Sequence, residues 1–179
     1  MNSLYQKIVQ ELIKKPYKNR DTFESAKKKL CGKNKIEPVM NSVLIKAYRK
    51  LLQKGLIKKN LNFENLTIAR ATRTISGVTP VTVLTKPYQC PGKCIYCPHE
   101  KNMPVSYLSN EPAAQRAKGL NFNPYQQVQY RIKALETNGH VVDKIELLVL
   151  GGSWNAYTRS YQDNFIAKCS SMTHSFASI

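Results

Sequence analysis

The sequence lacks an apolar run long enough to span a bilayer, for which about 20 consecutive apolar residues are needed. Its first residues, 1–7, also lack the apolar core of a secretory signal peptide. No internal repeat or low-complexity tract is present, and a hydrophobic content of 42% is enough for a packed core. We therefore expect a soluble, cytoplasmic protein with no membrane partner, whose five cysteines stay reduced and available to a metal.

Acidic residues are scarce, and the scarcity is uneven along the chain. Asp and Glu number 11 against 28 Lys and Arg, which gives a net charge of +17. Residues 1–60 carry 16 basic and 4 acidic side chains, a net +12, whereas residues 81–179 carry 10 and 6, a net +4. A basic third on a nearly balanced remainder is typical of nucleic-acid binding. A solvated basic face or adaptation to salt is the alternative.

Residues 1–60 are predicted to form a basic helical module. Apolar residues at helical spacing predict a first helix that ends before Pro16. Asp21 is the predicted N-cap of a second helix, and a third is predicted from Ser42 to a stop at Gly55. Ten lysines are expected on the outer faces of these helices: Lys14, Lys15, Lys27, Lys28, Lys29, Lys46, Lys50, Lys54, Lys58 and Lys59.

A cysteine motif follows, with no fourth cysteine at a matching short interval. Cys90, Cys94 and Cys97 form the pattern C-x3-C-x2-C. A four-iron cluster normally takes four thiolates, so three of them leave one iron open to a small molecule. This is the arrangement of the radical S-adenosylmethionine (SAM) enzymes, in which an electron from a 4Fe-4S cluster cleaves SAM to an adenosyl radical. Tyr96, the aromatic residue before the third cysteine, matches that loop.

Two other uses of these cysteines are open. A disulfide is disfavoured because no secretory signal precedes the loop. A structural zinc site with His99 as fourth ligand would crowd all four ligands into one loop, whereas zinc modules usually draw pairs from two separated knuckles. The spacing therefore favours an iron–sulfur cluster.

After a connector at 61–80, residues 81–167 are predicted to begin a parallel α/β core. The β-branched run 78–85 predicts a strand, residues 111–138 are mostly helical, and 144–150 predict a second strand. Strand, helix and strand in this order form a βαβ unit with a parallel sheet. The predicted fold class is α/β: a helical N-terminal module followed by the first strands and helices of an incomplete radical SAM (β/α) barrel.

The loops that follow both predicted strands are the expected site of chemistry. In β/α barrels, functional loops lie at the C-terminal ends of the strands, where both the cysteines and Gly151-Gly152 are found. Glycines allow close approach of the backbone to a ligand. Gly151 and Gly152, which resemble the turn that meets SAM in radical SAM barrels, are therefore predicted to contact SAM, and so is Tyr96 from its match to the radical SAM loop. Many such turns use glycine for geometry alone, which is the alternative.

Several long motifs between residues 65 and 166 point to one family. They are RTISGV at 73–78, KPYQCPGKCIYCP at 86–98, MPVSY at 103–107, NEPAAQRA at 110–117, GHVVDKIE at 139–146 and GGSW at 151–154. In these stretches the chain resembles the catalytic subunit of Elongator, the radical SAM tRNA-uridine acetyltransferase, in its archaeal or bacterial form.

The resemblance implies a function and its residues. Cys90, Cys94 and Cys97 match the cluster ligands, and Lys144 matches a lysine that contacts acetyl-CoA, although an ordinary lysine at the start of a strand would look the same. The implied reaction adds an acetyl-derived carboxymethyl group to C5 of the wobble uridine, U34, of tRNA. From the placement of positive charge, the predicted tRNA contacts are Lys27, Lys28, Lys29, Arg70 and Arg73.

The chain also departs from the family. Family members are far longer and carry a full barrel followed by an acetyltransferase domain, whereas residues 168–179 form a Ser/Thr-rich tail that loses the family pattern. We therefore expect a fragment that does not turn over by itself. The alternative is a non-catalytic tRNA- or RNA-binding protein with a structural metal.

Overall fold

The computed structural model describes residues 3–177, which divide into two compact units. The first unit comprises the chain up to Ile75 together with Leu135–Val141, and the second comprises Ser76–Ala134 and the chain from Val142 onward. The first unit thus extends beyond the predicted boundary at residue 60. The predicted connector at 61–80 contains a helix that packs in the core of this first unit.

Four helices form the first unit, because each buries one apolar stripe in a common core. They are α1 (Ser3–Leu12), α2 (Arg20–Lys33), α3 (Asn41–Gln53) and α4 (Leu61–Thr67). Leu12, Phe23, Leu44 and Phe63, one from each helix, are all buried in it. The ring of Phe63 packs edge-on against that of Phe23, with their centroids 5.8 Å apart. The three predicted helices are therefore present, and a fourth completes the core.

An asparagine side chain sets the start of α2. Asn19 Oδ1 accepts a hydrogen bond from the backbone N–H of Thr22 at 3.0 Å, and Thr22 Oγ1 accepts from the backbone N–H of Asn19 at 3.3 Å. This reciprocal pair satisfies donors that the first turn of α2 leaves unpaired. The predicted N-cap at Asp21 is therefore wrong by two residues.

The predicted stop after α3 is present, because Gly55, at φ +65°, follows that helix.

The second unit is built on a two-stranded parallel sheet. Strand β1 (Thr79–Leu84) pairs with β2 (Ile145–Leu150) in a register that runs from Thr79 opposite Ile145 to Leu84 opposite Leu150. Helices α5 (Pro112–Gly119) and α6 (Pro124–Thr137) connect the strands, and α7 (Arg159–Ala177) follows β2. The predicted α/β class and parallel pairing are confirmed, and no closed barrel is formed by the described residues.

The two edges of this sheet differ. Gln127 covers the outer edge of β1, because its side-chain amide both accepts from the backbone N–H of Leu84 and donates to the Leu84 carbonyl, each at 2.9 Å. Pro80 in the same strand has no N–H to offer. Between residues 3 and 177, β2 pairs with no strand other than β1. The outer edge of β1 is therefore the better protected of the two.

The predicted atypical tail continues α7 as far as it is described. Cys169 and Met172 on this helix are buried. No helix in the described part of the chain is both long enough and apolar enough to cross a membrane.

Candidate functional site

The three cysteines lie on a loop that follows the C-terminal end of β1. Cys94 is exposed, whereas Cys90 and Cys97 are partly buried, and all three are free thiols. A turn closes the second half of the motif, because the backbone N–H of Cys97 donates to the carbonyl of Cys94 at 3.2 Å. A Cβ atom placed on Gly92 would lie 3.6 Å from Cys90 Sγ and 3.7 Å from Cys94 Sγ. The glycine therefore leaves open the space beside these two sulfurs.

Two of the thiols contact serine hydroxyls. Cys90 Sγ lies 3.2 Å from Ser153 Oγ, on the loop after β2, and Cys97 Sγ lies 2.7 Å from Ser106 Oγ. Hydrogen bonds from the Ser153 hydroxyl and from the backbone N–H of Gly92 lower the pKa of the Cys90 thiol. Cys90 is therefore more readily deprotonated than an ordinary cysteine, as a metal ligand must be.

The donor set of this loop fits an iron–sulfur cluster in its chemistry. Three thiols within eight residues, on a loop without helix or strand, match the thiolate ligation that such clusters require. Within residues 3–177, no three His, Cys, Asp or Glu side chains are grouped closely enough to hold a metal ion. The Cys90 and Cys97 sulfurs each contact a serine hydroxyl. His99, the possible zinc ligand, is exposed and joins no such group.

A chain of tyrosines holds the backbone where β1 leads into the cysteine loop. Tyr157 Oη donates a hydrogen bond to the carbonyl of Lys86 at 2.7 Å. Because its one proton is used there, Tyr157 Oη accepts the second hydrogen bond, from Thr85 Oγ1 at 2.8 Å. The backbone N–H of Lys86 donates to Tyr161 Oη at 3.0 Å. Burial raises the pKa of Tyr161 to about 12, so that its hydroxyl stays neutral. The ring of Tyr88, two residues before Cys90, stacks on that of Tyr157 with centroids 4.8 Å apart.

The two glycines after β2 differ in what surrounds them. A Cβ atom on Gly151, where φ is +156°, would overlap Oγ1 of Thr85, the residue that follows β1. A Cβ atom on Gly152 would meet only Val105, at an ordinary 3.8 Å. Packing of the protein therefore explains the glycine at 151 and does not explain the one at 152.

A cavity of about 560 Å³ opens above the C-terminal ends of both strands. Its volume lies in the range typical of small-molecule sites. Its walls include these residues: Thr85, Tyr107, Leu150, Gly151, Gly152 and Trp154. Both predicted glycines thus line one cavity, at the same end of the strands as the cysteine loop.

Two other predicted site residues lie outside this cavity. Tyr96 is 93% exposed, on the cysteine loop. Lys144 is exposed immediately before β2, and its carbonyl accepts from the backbone N–H of Thr79 at 2.8 Å. Because a six-residue strand is about 20 Å long, Lys144 is at the opposite end of the sheet from Gly151. The described residues do not bring it together with the cysteines.

Of the predicted basic contacts in the first unit, one is misplaced. The prediction that Lys27 lies on an outer face is wrong: it is 5% exposed, forms an ion pair with Glu24 and donates to Asn41 Oδ1 at 2.8 Å. A buried lysine needs such partners because desolvation of its charge is costly. Lys28, Lys29, Arg70, Arg73 and the remaining lysines of the predicted set are exposed.

Four residues near the cysteines were missed by the sequence reasoning. Ser106 and Ser153 contact cysteine sulfurs, and Tyr107 and Trp154 line the cavity. Ser153 and Trp154 directly follow the predicted glycines, which was an available signal. The sequence spacing of Ser106 and Tyr107 gives no sign of these contacts, because only the folded path of the loop brings Ser106 to Cys97 and Tyr107 to the cavity.

Curated relatives match a little over half of the chain. A protein named tRNA uridine(34) acetyltransferase from Dehalococcoides mccartyi is 47% identical over 100 residues, which are 56% of this chain and 22% of that protein. One of the same name from Methanocaldococcus infernus is 47% identical over 106 residues, 56% of this chain and 20% of that protein. Elongator complex protein 3 from Schizosaccharomyces pombe is 36% identical over 110 residues, 55% of this chain and 20% of that protein. The match thus spans about a fifth of each relative, and no family model matches the chain.

Proposed function

We propose that the chain is the cofactor- and tRNA-binding part of an enzyme like the tRNA uridine(34) acetyltransferases and Elongator complex protein 3, because it is 36–47% identical to proteins of these names over 55–56% of its length. The proposed reaction adds an acetyl-derived carboxymethyl group to C5 of the wobble uridine of tRNA. One observation carries the proposal most directly: the three-thiol loop and the cavity over Gly152 lie at the same end of one parallel sheet.

The cysteine loop is the proposed ligand set for a 4Fe-4S cluster, through Cys90, Cys94 and Cys97. Such a cluster with one open iron supplies the electron that cleaves SAM to an adenosyl radical. The lowered pKa of the Cys90 thiol favours the deprotonated ligand, and Gly92 keeps side-chain atoms away from two of the sulfurs. Hydrogen bonds with Tyr157 and Tyr161 hold the start of the loop, at Lys86, against α7 and the segment that leads into it.

The cavity is the proposed site for SAM. Gly152 supports this assignment, because no described residue would clash with a Cβ atom there, whereas the approach of a ligand to the backbone would require a glycine. Trp154 and Tyr107 provide aromatic walls, which suit the adenine ring of SAM. Tyr96, on the exposed part of the loop, is a proposed further contact.

The remaining contacts are proposed for the two other substrates. Lys144 is the proposed contact for acetyl-CoA, whose phosphates a lysine can pair with. Its distance from the cavity separates that contact from the radical chemistry. Lys28, Lys29, Arg70 and Arg73 are exposed cations and are proposed to contact tRNA phosphates.

Anaerobic reconstitution with iron and sulfide tests the proposal. We expect about four irons per chain and a visible absorption band that SAM perturbs, because SAM would bind the open iron. Single Cys→Ala changes at Cys90, Cys94 or Cys97 should abolish iron loading. Cys31→Ala and Cys169→Ala are matched controls, since both thiols are buried away from the loop and should leave the iron content unchanged.

A colourless chain that takes up one zinc ion instead of iron and still binds tRNA would refute the enzymatic proposal. That outcome would favour a non-catalytic RNA-binding protein with a structural metal, in which His99 could serve as the fourth ligand.

A further inference from the structure

Ser106 occupies a backbone conformation that serine rarely adopts. Its φ is +79°, in the left-handed region that disfavours residues with a Cβ atom. The backbone N–H of Ser106 donates to the carbonyl of Pro98 at 3.2 Å, which ties this residue to the end of the cysteine loop. Held in this way, the side chain places Oγ 2.7 Å from Cys97 Sγ. Strained residues of this kind are concentrated at functional sites.

Ser153 reaches the first cysteine from the loop that follows the other strand, β2. It follows β2 and the two cavity glycines, and its Oγ lies 3.2 Å from Cys90 Sγ. Two separate loops, one between the strands and one after β2, thus each supply one hydroxyl to one of the outer cysteines of the motif. The hydroxyl of a nearby serine, Ser109, bonds instead to the carboxylate of Glu100.

We propose that Ser106 and Ser153 are positioning residues which donate hydrogen bonds to the Cys97 and Cys90 sulfurs and thereby raise the reduction potential of the cluster bound there. The inference rests on the proposed function. A sulfur bound to iron carries no proton, so in each pair the serine must be the donor. Hydrogen bonds to the sulfurs are one of the factors that set the potential of such clusters.

The direction of the effect follows from charge. Reduction adds one electron, and therefore negative charge, that is shared by iron and sulfur. A hydroxyl dipole pointing at a sulfur stabilises the more negative, reduced state more than the oxidised one. Removal of either hydroxyl should therefore lower the ratio of reduced to oxidised cluster, at a fixed solution potential, by about threefold to tenfold. A tenfold change corresponds to about 59 mV for a one-electron couple.

Redox titration of the reconstituted full chain tests this inference, with dithionite as the one-electron reductant and the electron paramagnetic resonance signal of the reduced cluster as readout. Ser106→Ala and Ser153→Ala should each shift the midpoint to more negative potential. Ser106→Gly removes the same hydroxyl while relieving the backbone strain, so it should give the same shift with no loss of folding. Ser109→Ala, which removes a hydroxyl that faces a carboxylate, is the matched control and should leave the midpoint unchanged.

The outcomes separate this inference from the function on which it rests. If the unsubstituted chain loads no cluster, the proposed function fails and this inference falls with it. If all variants load a full cluster with the same midpoint potential, the inference about the serines is overturned while the proposed function stands. Equal shifts for Ser109→Ala and Ser106→Ala would also overturn it, because the effect would then not depend on contact with a sulfur.

Discussion

The two glycines after β2 should respond differently to substitution by alanine. Gly151→Ala should destabilise the fold, whereas Gly152→Ala should weaken ligand binding and leave the fold intact. At Gly151 a methyl group would overlap Thr85 Oγ1, which cannot easily move because it bonds to the buried Tyr157 hydroxyl at 2.8 Å. Overpacking of this kind costs about 1–3 kcal/mol. The positive φ adds about 1 kcal/mol for a residue with a Cβ atom. We therefore expect Gly151→Ala to lower the free energy of unfolding by about 2–4 kcal/mol.

Gly152→Ala should leave the fold intact. Its new methyl group would meet Val105 at an ordinary distance, so the change in the free energy of unfolding should stay within about 0.5 kcal/mol. If SAM occupies the cavity against this backbone, the same methyl group should weaken SAM binding at least tenfold, or about 1.4 kcal/mol.

Urea unfolding followed by circular dichroism measures the first quantity, and calorimetric titration of the reconstituted chain with SAM measures the second. Thr85→Ala should partly rescue Gly151→Ala, because it removes the overlapping oxygen and leaves only the Thr85 Cβ atom at 3.0 Å. The double variant should therefore cost at least about 1 kcal/mol less than the two single changes added together. Equal destabilisation by the two glycine substitutions, or no coupling with Thr85, would refute the steric reasoning.

Three further predictions concern other parts of the chain. The double variant Lys28→Ala, Lys29→Ala should bind tRNA more weakly, and the slope of log affinity against log salt should fall in magnitude by up to about 1.8, because binding then releases fewer counterions. An unchanged slope in a filter-binding series would contradict these two contacts. Burial would raise the pKa of Glu24, but hydrogen bonds from Lys27 and Asn41 outweigh burial and hold that pKa below its usual value. The stability that Glu24 contributes should therefore be present at neutral pH and lost as the pH falls through the lowered pKa. Urea midpoints measured from pH 7 down to pH 3 should therefore fall more steeply for the unsubstituted chain than for Glu24→Gln, and parallel curves would disprove the pairing. Gln127→Leu should lower the free energy of unfolding by about 2–4 kcal/mol, because it leaves two buried main-chain groups at the end of β1 without partners; a loss below about 0.5 kcal/mol would show that water replaces the amide.

Much of the fold was predictable because its signals are local. Apolar spacing identified the first three helices, and the strands predicted at 78–85 and 144–150 match β1 and β2 to within one residue at each end. Their parallel pairing followed from the helical segment between them, since parallel strands require a crossover. Helix α4 was missed because its seven residues are too few to show a period, although Phe63 is buried in the core.

The sequence by itself also determined the chemistry of the loop, since the spacing of Cys90, Cys94 and Cys97 is a property of the chain and does not depend on the fold. Only the tertiary structure decided which side chains surround these sulfurs. Ser106 and Ser153 are 9 and 63 residues from their cysteines, and neither separation has a pattern that sequence reasoning can detect. Lys27 shows the same limit: its neighbours Lys28 and Lys29 are exposed, and it is buried because a carboxylate on its own helix and an amide at the start of α3 meet its charge. The sequence specifies the chemical type of each side chain, but the partners of that side chain depend on how distant segments pack.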